Sequence, residues 1–134
     1  MLEPKKTKFR KQHKDAGGGK KIRGSHLNFG EFGLKVVQNG IISARQIEAV
    51  RQVLSRSIKK GGKMWIRIFP DRPITFKGVE VPMGGGKGDV IGYEVAMKAG
   101  RVLFELDGIP QKEAKEAFRI ASHKLGVRTK FIAR

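Results

Sequence analysis

The spacing of apolar residues in the first half of the chain predicts an amphipathic helix. An apolar residue recurs every three or four positions along one side of this helix, at Ile47, Val50, Leu54 and Ile58. Ser43 and Gln46 have the spacing of a capping box, in which each side chain bonds to the other residue's backbone amide. The pair Gly61 and Gly62 predicts the end of the helix.

A second helix is predicted near the end of the chain. Its apolar stripe consists of Ala114, Ala117, Phe118, Ala121 and Leu125. Pro110 precedes it, in a position that favours the first turn of a helix, and Gly126 predicts its end. Because most of the stripe is alanine, the helix can lie close against a sheet.

Short runs rich in apolar and β-branched residues predict about six strands, over residues 29–37, 63–69, 74–81, 90–97, 101–108 and 128–132. Gly40 is interpreted as the close of a turn. Residues 98–100 are a short connection, which predicts that the fourth and fifth strands form an antiparallel hairpin. The pattern therefore predicts an α+β fold, an α+β sandwich with two helices packed on antiparallel strands, in a single domain over residues 25–134.

The amino-acid composition indicates that this fold binds a polyanionic partner. The 134 residues include 29 Lys and Arg against 12 Asp and Glu, a net charge of +17. A compact chain with this excess repels itself, and nucleic-acid phosphates would neutralise it while releasing condensed counterions. An anionic membrane surface is an alternative, but no apolar run has the length of a spanning helix. The chain has no cysteine, which excludes disulfides, thiolate chemistry and cysteine-bound zinc.

The basic residues are most concentrated in residues 1–24, where nine of them stand against two acidic residues. This segment has too little apolar surface to fold alone, so we expect an extended basic N-terminal tail that phosphates order. The alternative is a solubilising tail without a specific partner, against which Phe9 and Ile22 argue. The predicted RNA-binding residues of the tail are Lys5, Lys6, Lys8, Arg10, Lys11, Lys14, Lys20, Lys21 and Arg23.

The polar side of the first helix is a second candidate RNA-binding surface. Opposite its apolar stripe lie Arg45, Gln52, Arg56, Lys59 and Lys60. We predict that the basic residues of this set contact phosphates, with a merely solvated face as the alternative. The predicted site residues here are Arg45, Arg56, Lys59 and Lys60.

The strand that follows this helix has a mixed aromatic and cationic face. Met64, Ile66 and Ile68 alternate with Lys63, Trp65, Arg67 and Phe69. Trp65 either stacks on bases between two cations that pair with phosphates, or belongs to the core of the sandwich. The sequence leaves both interpretations open, and Lys63, Trp65 and Arg67 are candidate RNA-binding residues.

Residues 82–89 form a glycine-rich loop that resembles a phosphate-binding P-loop only in part. Val81 stands where that motif requires its first glycine, and Gly88 stands where Ser or Thr should hold Mg²⁺. Nucleotide hydrolysis is therefore excluded. We predict a tip whose backbone approaches RNA closely, with an ordinary mobile hairpin as the alternative. The residues of the tip are Met83, Gly84, Gly85, Gly86, Lys87 and Gly88.

The titratable residues show no catalytic or metal-binding pattern. His13, His26 and His123 are far apart, and no pair has metal-ligand spacing. The acidic residues are interpreted as counter-charges on solvated faces, namely Glu48, Glu94, Glu105, Asp107, Glu113 and Glu116. We therefore predict no enzyme, no cofactor, no bound metal and no small-molecule substrate.

Two alternatives to a non-catalytic RNA-binding protein would also explain the large positive net charge. A DNA-binding nucleoid protein is one, but the sequence contains no helix-turn-helix and no zinc motif. A free RNA-processing factor is the other, but it would need a titratable cluster in a cleft. Preference for duplex DNA would favour the first, and sedimentation away from large RNA–protein particles would favour the second.

Several segments resemble the L-sixteen family of bacterial-type large-subunit ribosomal proteins. They are the N-terminal MLEPKKTKFRKQHK, FGEFGLK at 29–35, ISARQIEA at 42–49, KMWIRIFPDRPIT at 63–75, MGGGKG at 83–88, and LFELDGIP and EAFRIASHKL near the end. They occur in order over nearly the whole chain, which makes the resemblance specific.

The resemblance implies an α+β sandwich that binds 23S-type ribosomal RNA. It also implies a part in late subunit assembly and contacts with neighbouring large-subunit proteins. A further implied role is support of tRNA in the A site, or in both the A site and the P site. The ribosome would be that of a bacterial cytoplasm or an organelle matrix. Many members have an arginine before the Met-Gly pair, hydroxylated in some. Pro82 stands there in this chain, so that modification is not predicted.

Overall fold

The computed structural model describes residues 1–13, 23–58 and 61–134. Over these residues the chain forms two helices and seven strands, and the strands lie in two antiparallel sheets. In chain order they are β1 (Phe32–Val36), β2 (Gly40–Ser43), α1 (Ala44–Ser57), β3 (Lys63–Ile66), β4 (Arg72–Phe76), β5 (Asp89–Met97), β6 (Val102–Asp107), α2 (Gln111–Ser122) and β7 (Thr129–Ala133). The predicted α+β class is confirmed.

The core lies between the helices and the two sheets. One sheet has the strand order β3-β6-β1-β7 and the other has the order β2-β5-β4. Helix α1 contacts β2 and β5, helix α2 contacts β1 and β7, and the two helices contact each other. The largest side chains buried between them include Leu34, Ile47, Phe104 and Phe118.

Helix α1 begins where the sequence predicts but ends several residues before the predicted end at Gly61 and Gly62. The Ser43 hydroxyl accepts from the Gln46 amide at 3.2 Å, and the Ser43 amide donates to Gln46 Oε1 at 2.9 Å, which completes the capping box. The helix ends at Ser57 rather than at Gly61, because the backbone of Ile58 turns to an extended conformation. Ile58 still packs against the core, so the apolar stripe outlasts the helix.

Helix α2 also ends before its apolar stripe does. Its last residue is Ser122, and the next amides bond to the carbonyl three residues back, Lys124 to Ala121 at 2.9 Å and Leu125 to Ser122 at 3.2 Å. These tighter turns are common where a helix ends. Leu125 is therefore buried as the stripe predicts.

The predicted hairpin of the fourth and fifth strands is wrong. These strands are β5 and β6, and they lie in different sheets, since β5 pairs with β2 and β4 while β6 pairs with β1 and β3. The connection between them bonds to the end of β1 and to the segment between β1 and β2, instead of closing a hairpin. The Gly100 amide donates to the Val36 carbonyl at 2.7 Å, and the Ala99 amide donates to Asn39 Oδ1 at 2.7 Å. Gly40, interpreted as the close of a turn, begins β2.

Two further strands differ from their predicted bounds. Strand β3 stops at Ile66, yet Ile68 is buried, and Met64 and Ile66 are partly buried and pack against the core. Strand β4 covers Arg72–Phe76 rather than residues 74–81. The chain turns after Phe76, with the Val81 amide bonded to the Gly78 carbonyl at 3.1 Å.

Candidate nucleic-acid interface

The carboxylate of Glu105 lies at the base of the most elaborate polar cluster in the described part of the chain. Glu105 is in β6 and is 0% exposed. Its Oε1 accepts from three successive amides, those of Asn28 and Phe29 at 3.0 Å and that of Gly30 at 3.1 Å. Successive amides that converge in this way form an anion-binding concavity. The prediction that Glu105 is a counter-charge on a solvated face is therefore wrong.

Arg67 neutralises this buried carboxylate from the other side. Its Nη1 is 3.3 Å from Glu105 Oε2, and its side chain is only 13% exposed. Among the described residues Oε2 accepts no hydrogen bond, so the contact is an ion pair by distance alone. The same Nη1 donates to the His26 carbonyl at 2.6 Å. Arg67 is thus held by the segment before β1 and is not a free surface cation.

An aromatic pair lies over this cluster. The rings of Phe29 and Trp65 stack with their centroids 5.9 Å apart and their planes 20° apart. The guanidinium carbon of Arg67 is 5.7 Å from the Phe29 centroid, within the range of a cation–π contact. Trp65 is half-buried and Phe29 is 56% exposed. Trp65 is therefore not fully buried in the core, and its ring stacks on the exposed ring of Phe29.

Gly30 allows this arrangement. A Cβ atom on Gly30 would lie 2.5 Å from the Leu106 carbonyl oxygen and 3.1 Å from the Trp65 ring. The first distance is shorter than any van der Waals contact. Only a glycine therefore lets the backbone come close enough to β6 for its amide to reach Glu105.

The tip loop connects β4 to β5 and projects away from the core. Met83 is 100% exposed. Gly84, Gly85 and Gly86 all have positive φ, at 118°, 76° and 111°, and a Cβ on any of them would meet nothing described within 4 Å. The Lys77 ammonium donates to the Gly84 carbonyl at 2.6 Å. This lysine braces a loop whose own side chains make few contacts.

The N-terminal segment and the tip loop are joined by two lysines. Lys11 Nζ donates to the Lys87 carbonyl at 3.0 Å, and Lys87 Nζ donates to the Gln12 carbonyl. Both lysines were predicted as RNA contacts from separate parts of the sequence, and the structure brings them together. An ammonium group has three donors, so each remains able to bind a phosphate as well.

The other predicted RNA-binding residues are at the surface where they are described. Leu2 packs against the core, and with Glu3 it lines a groove beside Arg45, so the N-terminus lies near the start of α1. The exposed members of the set are Lys5, Lys6, Lys8, Arg10, Arg23, Arg45, Arg56 and Lys63. Lys14, Lys20, Lys21, Lys59 and Lys60 lie outside the described residues.

Besides Glu105, three acidic residues of the described part of the chain pair with arginines. Glu48 pairs with Arg51 at 2.5 Å and Glu116 with Arg119 at 2.7 Å, each one helical turn apart. These hydrogen bonds hold the pKa of both carboxyl groups below its usual range. The third, Glu94, pairs across the sheet with Arg72 at 3.2 Å, and both side chains are largely buried.

Sequence reasoning missed Phe29, Lys77 and Glu105 as residues that build the surface. The sequence did contain a signal for a buried Glu105, because this residue is the only polar one in the otherwise apolar run from Val102 to Leu106. A run of this kind indicates a strand buried on both faces, where a carboxylate needs partners.

The described residues contain no group of three or more His, Cys, Asp or Glu placed to hold a metal ion. No helix among them is long and apolar enough to cross a membrane.

Comparison with known proteins gives consistent matches over almost the full length. The family described as Ribosomal protein L16p/L10e matches residues 4–132. The chain is 52% identical over 134 residues to the large ribosomal subunit protein uL16 of Xanthomonas oryzae pv. oryzae strain PXO99A, covering 100% of this chain and 98% of that protein. The uL16 proteins of Xanthomonas euvesicatoria pv. vesicatoria and Xanthomonas axonopodis pv. citri match with the same identity and coverage.

Proposed function

This chain belongs to the ribosomal protein L16p/L10e family, and from that membership we propose that its exposed cations bind the RNA of the large ribosomal subunit. Membership makes it a structural constituent of that subunit and not an enzyme. It works in translation, with ribosomal RNA and other ribosomal proteins as its partners. The proposal concerns which of its residues carry the RNA contacts.

The observation that carries the proposal is the exposed cationic set of the N-terminal segment. Lys5, Lys6, Lys8 and Arg10 are all exposed, and Glu3 is the only acidic residue among the first ten. Exposed cations at this density are costly to hold together without an anion, and each phosphate they neutralise releases counterions.

We assign separate roles to three parts of the chain. Residues 1–24 form the RNA-binding tail, which includes Lys14, Lys20 and Lys21. Residues 25–134 form the domain that fixes the contacts of Arg45, Arg56, Lys59, Lys60 and Lys63 at constant separations. Residues 82–89 form the tip.

We further propose that the tip supports tRNA in the A site, and that the protein stabilises the subunit late in its assembly. Two features support a close approach to another molecule. Gly84–Gly86 carry no side chains that would hold a partner away, and the reciprocal bonds between Lys11 and Lys87 attach the tip to the tail. When the tail docks on ribosomal RNA, the tip is therefore placed relative to that RNA.

The salt dependence of binding tests the role of the tail. The full chain is rebound to large subunits from which this protein has been washed, and affinity is measured over a range of salt. Changing Lys5, Lys6 and Lys8 together to Gln is expected to make the slope of log affinity against log salt shallower by about 2–3, because three phosphate contacts are lost. The matched control changes Lys112, Lys115 and Lys124 to Gln, and these are exposed lysines in and just after α2.

The control triple variant should keep the wild-type slope. If the two triple variants flatten the slope equally, binding depends on total charge, and the assignment to the tail is wrong. If the tail variant keeps the wild-type slope, the tail does not contact phosphates.

A further inference from the structure

We propose that Phe29, Trp65 and Arg67 form a platform on which an unpaired RNA base stacks, and that Glu105 positions this platform. The inference rests on the proposed RNA binding and adds to it the kind of RNA feature recognised. The inference gives roles to Phe29 and Glu105, which a search for cationic RNA-binding residues does not find.

The first argument is that the fold presents the Phe29 ring to solvent. More than half of Phe29 is exposed although it borders the core strand β6. Its amide and those of both neighbours are fixed to one buried oxygen, so the backbone under the ring is rigid. A ring that is exposed and also rigidly held loses little conformational freedom when a second ring stacks on it.

The second argument is that the cation beside the ring is already neutralised. Arg67 lies against the buried carboxylate of Glu105 and bonds to the His26 carbonyl. It can still polarise the Phe29 ring, but it has little net charge to offer a phosphate. The surface therefore favours the flat face of a base over the backbone of the RNA.

A phosphate contact is available next to the platform. Lys63 lies two residues before Trp65 in β3, so both side chains are on the same face of the strand. Lys63 is exposed. A cation beside a stacking surface matches the usual combination in proteins that bind single-stranded nucleic acid.

The third argument concerns the state of the RNA. Within an RNA duplex the face of each base is covered by its neighbours, and the deep major groove is too narrow for side chains. A stacking platform can therefore use only a base that is bulged, looped or terminal. We infer that it recognises an unpaired base in the large-subunit RNA.

The test compares two RNA probes that differ by one base. The full chain is titrated with a labelled RNA duplex that carries a single bulged adenosine, and with the same duplex fully paired. The wild-type chain is expected to prefer the bulged duplex by about tenfold, the order of magnitude of one base–aromatic stacking contact. Phe29→Leu should abolish the preference and Phe29→Tyr should retain it, because tyrosine keeps the aromatic face.

A matched control uses another exposed phenylalanine. Phe76 is 61% exposed and lies in β4, in the other sheet. Phe76→Leu should keep the full preference for the bulged duplex. Glu105→Gln should reduce that preference without lowering affinity for the paired duplex, because Arg67 keeps its charge. A general loss of folded protein would instead lower affinity for both duplexes. An unchanged preference in Glu105→Gln would remove Glu105 from the proposal.

The outcomes separate this proposal from the general one. If the wild-type chain binds both duplexes tightly and equally, RNA binding stands and the platform is overturned. If it binds neither with a salt-dependent affinity, the proposed RNA binding itself fails. If Phe76→Leu loses the preference as fully as Phe29→Leu, the effect does not belong to the platform.

Discussion

Glu105→Ala is expected to lower the free energy of unfolding by about 3–5 kcal/mol, the range found when one partner of a buried ion pair is removed. The substitution takes the acceptor from three amides at once and leaves Arg67 beside a cavity without its anion. An unsatisfied buried donor is costly because water cannot replace the lost partner. Chemical denaturation of the free protein measures the loss.

Two other substitutions isolate the cause. Glu105→Gln keeps a carbonyl oxygen for the amides and removes only the charge, so it should destabilise less than alanine does. Glu116→Ala breaks an exposed pair with Arg119 and should change stability little. If Glu105→Ala proves no more destabilising than Glu116→Ala, the buried cluster does not hold the segment before β1.

The helices were predictable because their signals are local. The capping box of Ser43 and Gln46, and the stripe through Ile47 and Leu54, depend on residues a few positions apart. Both features are confirmed. The ends of the helices were less predictable, since Ile58 and Leu125 face the core whether or not their backbone is helical.

Strand pairing was not predictable because it depends on which sheet edges are already occupied. Residues 98–100 have a suitable length for a hairpin, but β5 has β2 on one side and β4 on the other. The four residues of β2 are too few to show a clear alternation. Once β2 was missed, β5 had an apparently open edge, and a hairpin with β6 was the nearest local solution.

The candidate surface was predictable in composition and not in construction. The lysines and arginines were visible in the sequence, and every described one predicted to bind RNA is exposed except Lys11 and Arg67, which are partly buried. The proposed platform of Phe29, Trp65 and Arg67 is held by Glu105, whose carboxylate is 76 positions along the chain from the Phe29 amide that donates to it. Nothing local in the sequence indicates that contact, although the apolar run around Glu105 indicates that a partner must exist.

Changing Gly85 and Gly86 together to Val is expected to impair translation severalfold while the domain stays folded. Both glycines have positive φ, which valine adopts only with strain. The loop is nevertheless open, since an added Cβ meets nothing described within 4 Å. The strain can therefore be relieved by movement of the tip, and the free energy of unfolding should change by less than about 1 kcal/mol.

The loss in translation follows from the changed shape of the tip. Branched side chains would add width where the backbone is proposed to approach tRNA, and relief of the strain would alter the path between Lys77 and Lys87. Large subunits carrying the variant are tested for A-site tRNA binding and for peptide synthesis, and the free protein is tested for thermal unfolding. Gly92→Val in β5 is the control, because its added Cβ also meets none of the described atoms within 4 Å but its φ is ordinary.

The control should leave both tRNA binding and thermal stability unchanged. A double variant that loses thermal stability in the free protein in proportion to its loss of translation would mean that the tip acts on the fold. A double variant with normal tRNA binding would mean that the tip does not contact tRNA in the A site. The proposed role requires that tRNA binding falls while the unfolding transition stays in place, because only then does the tip contribute through its shape.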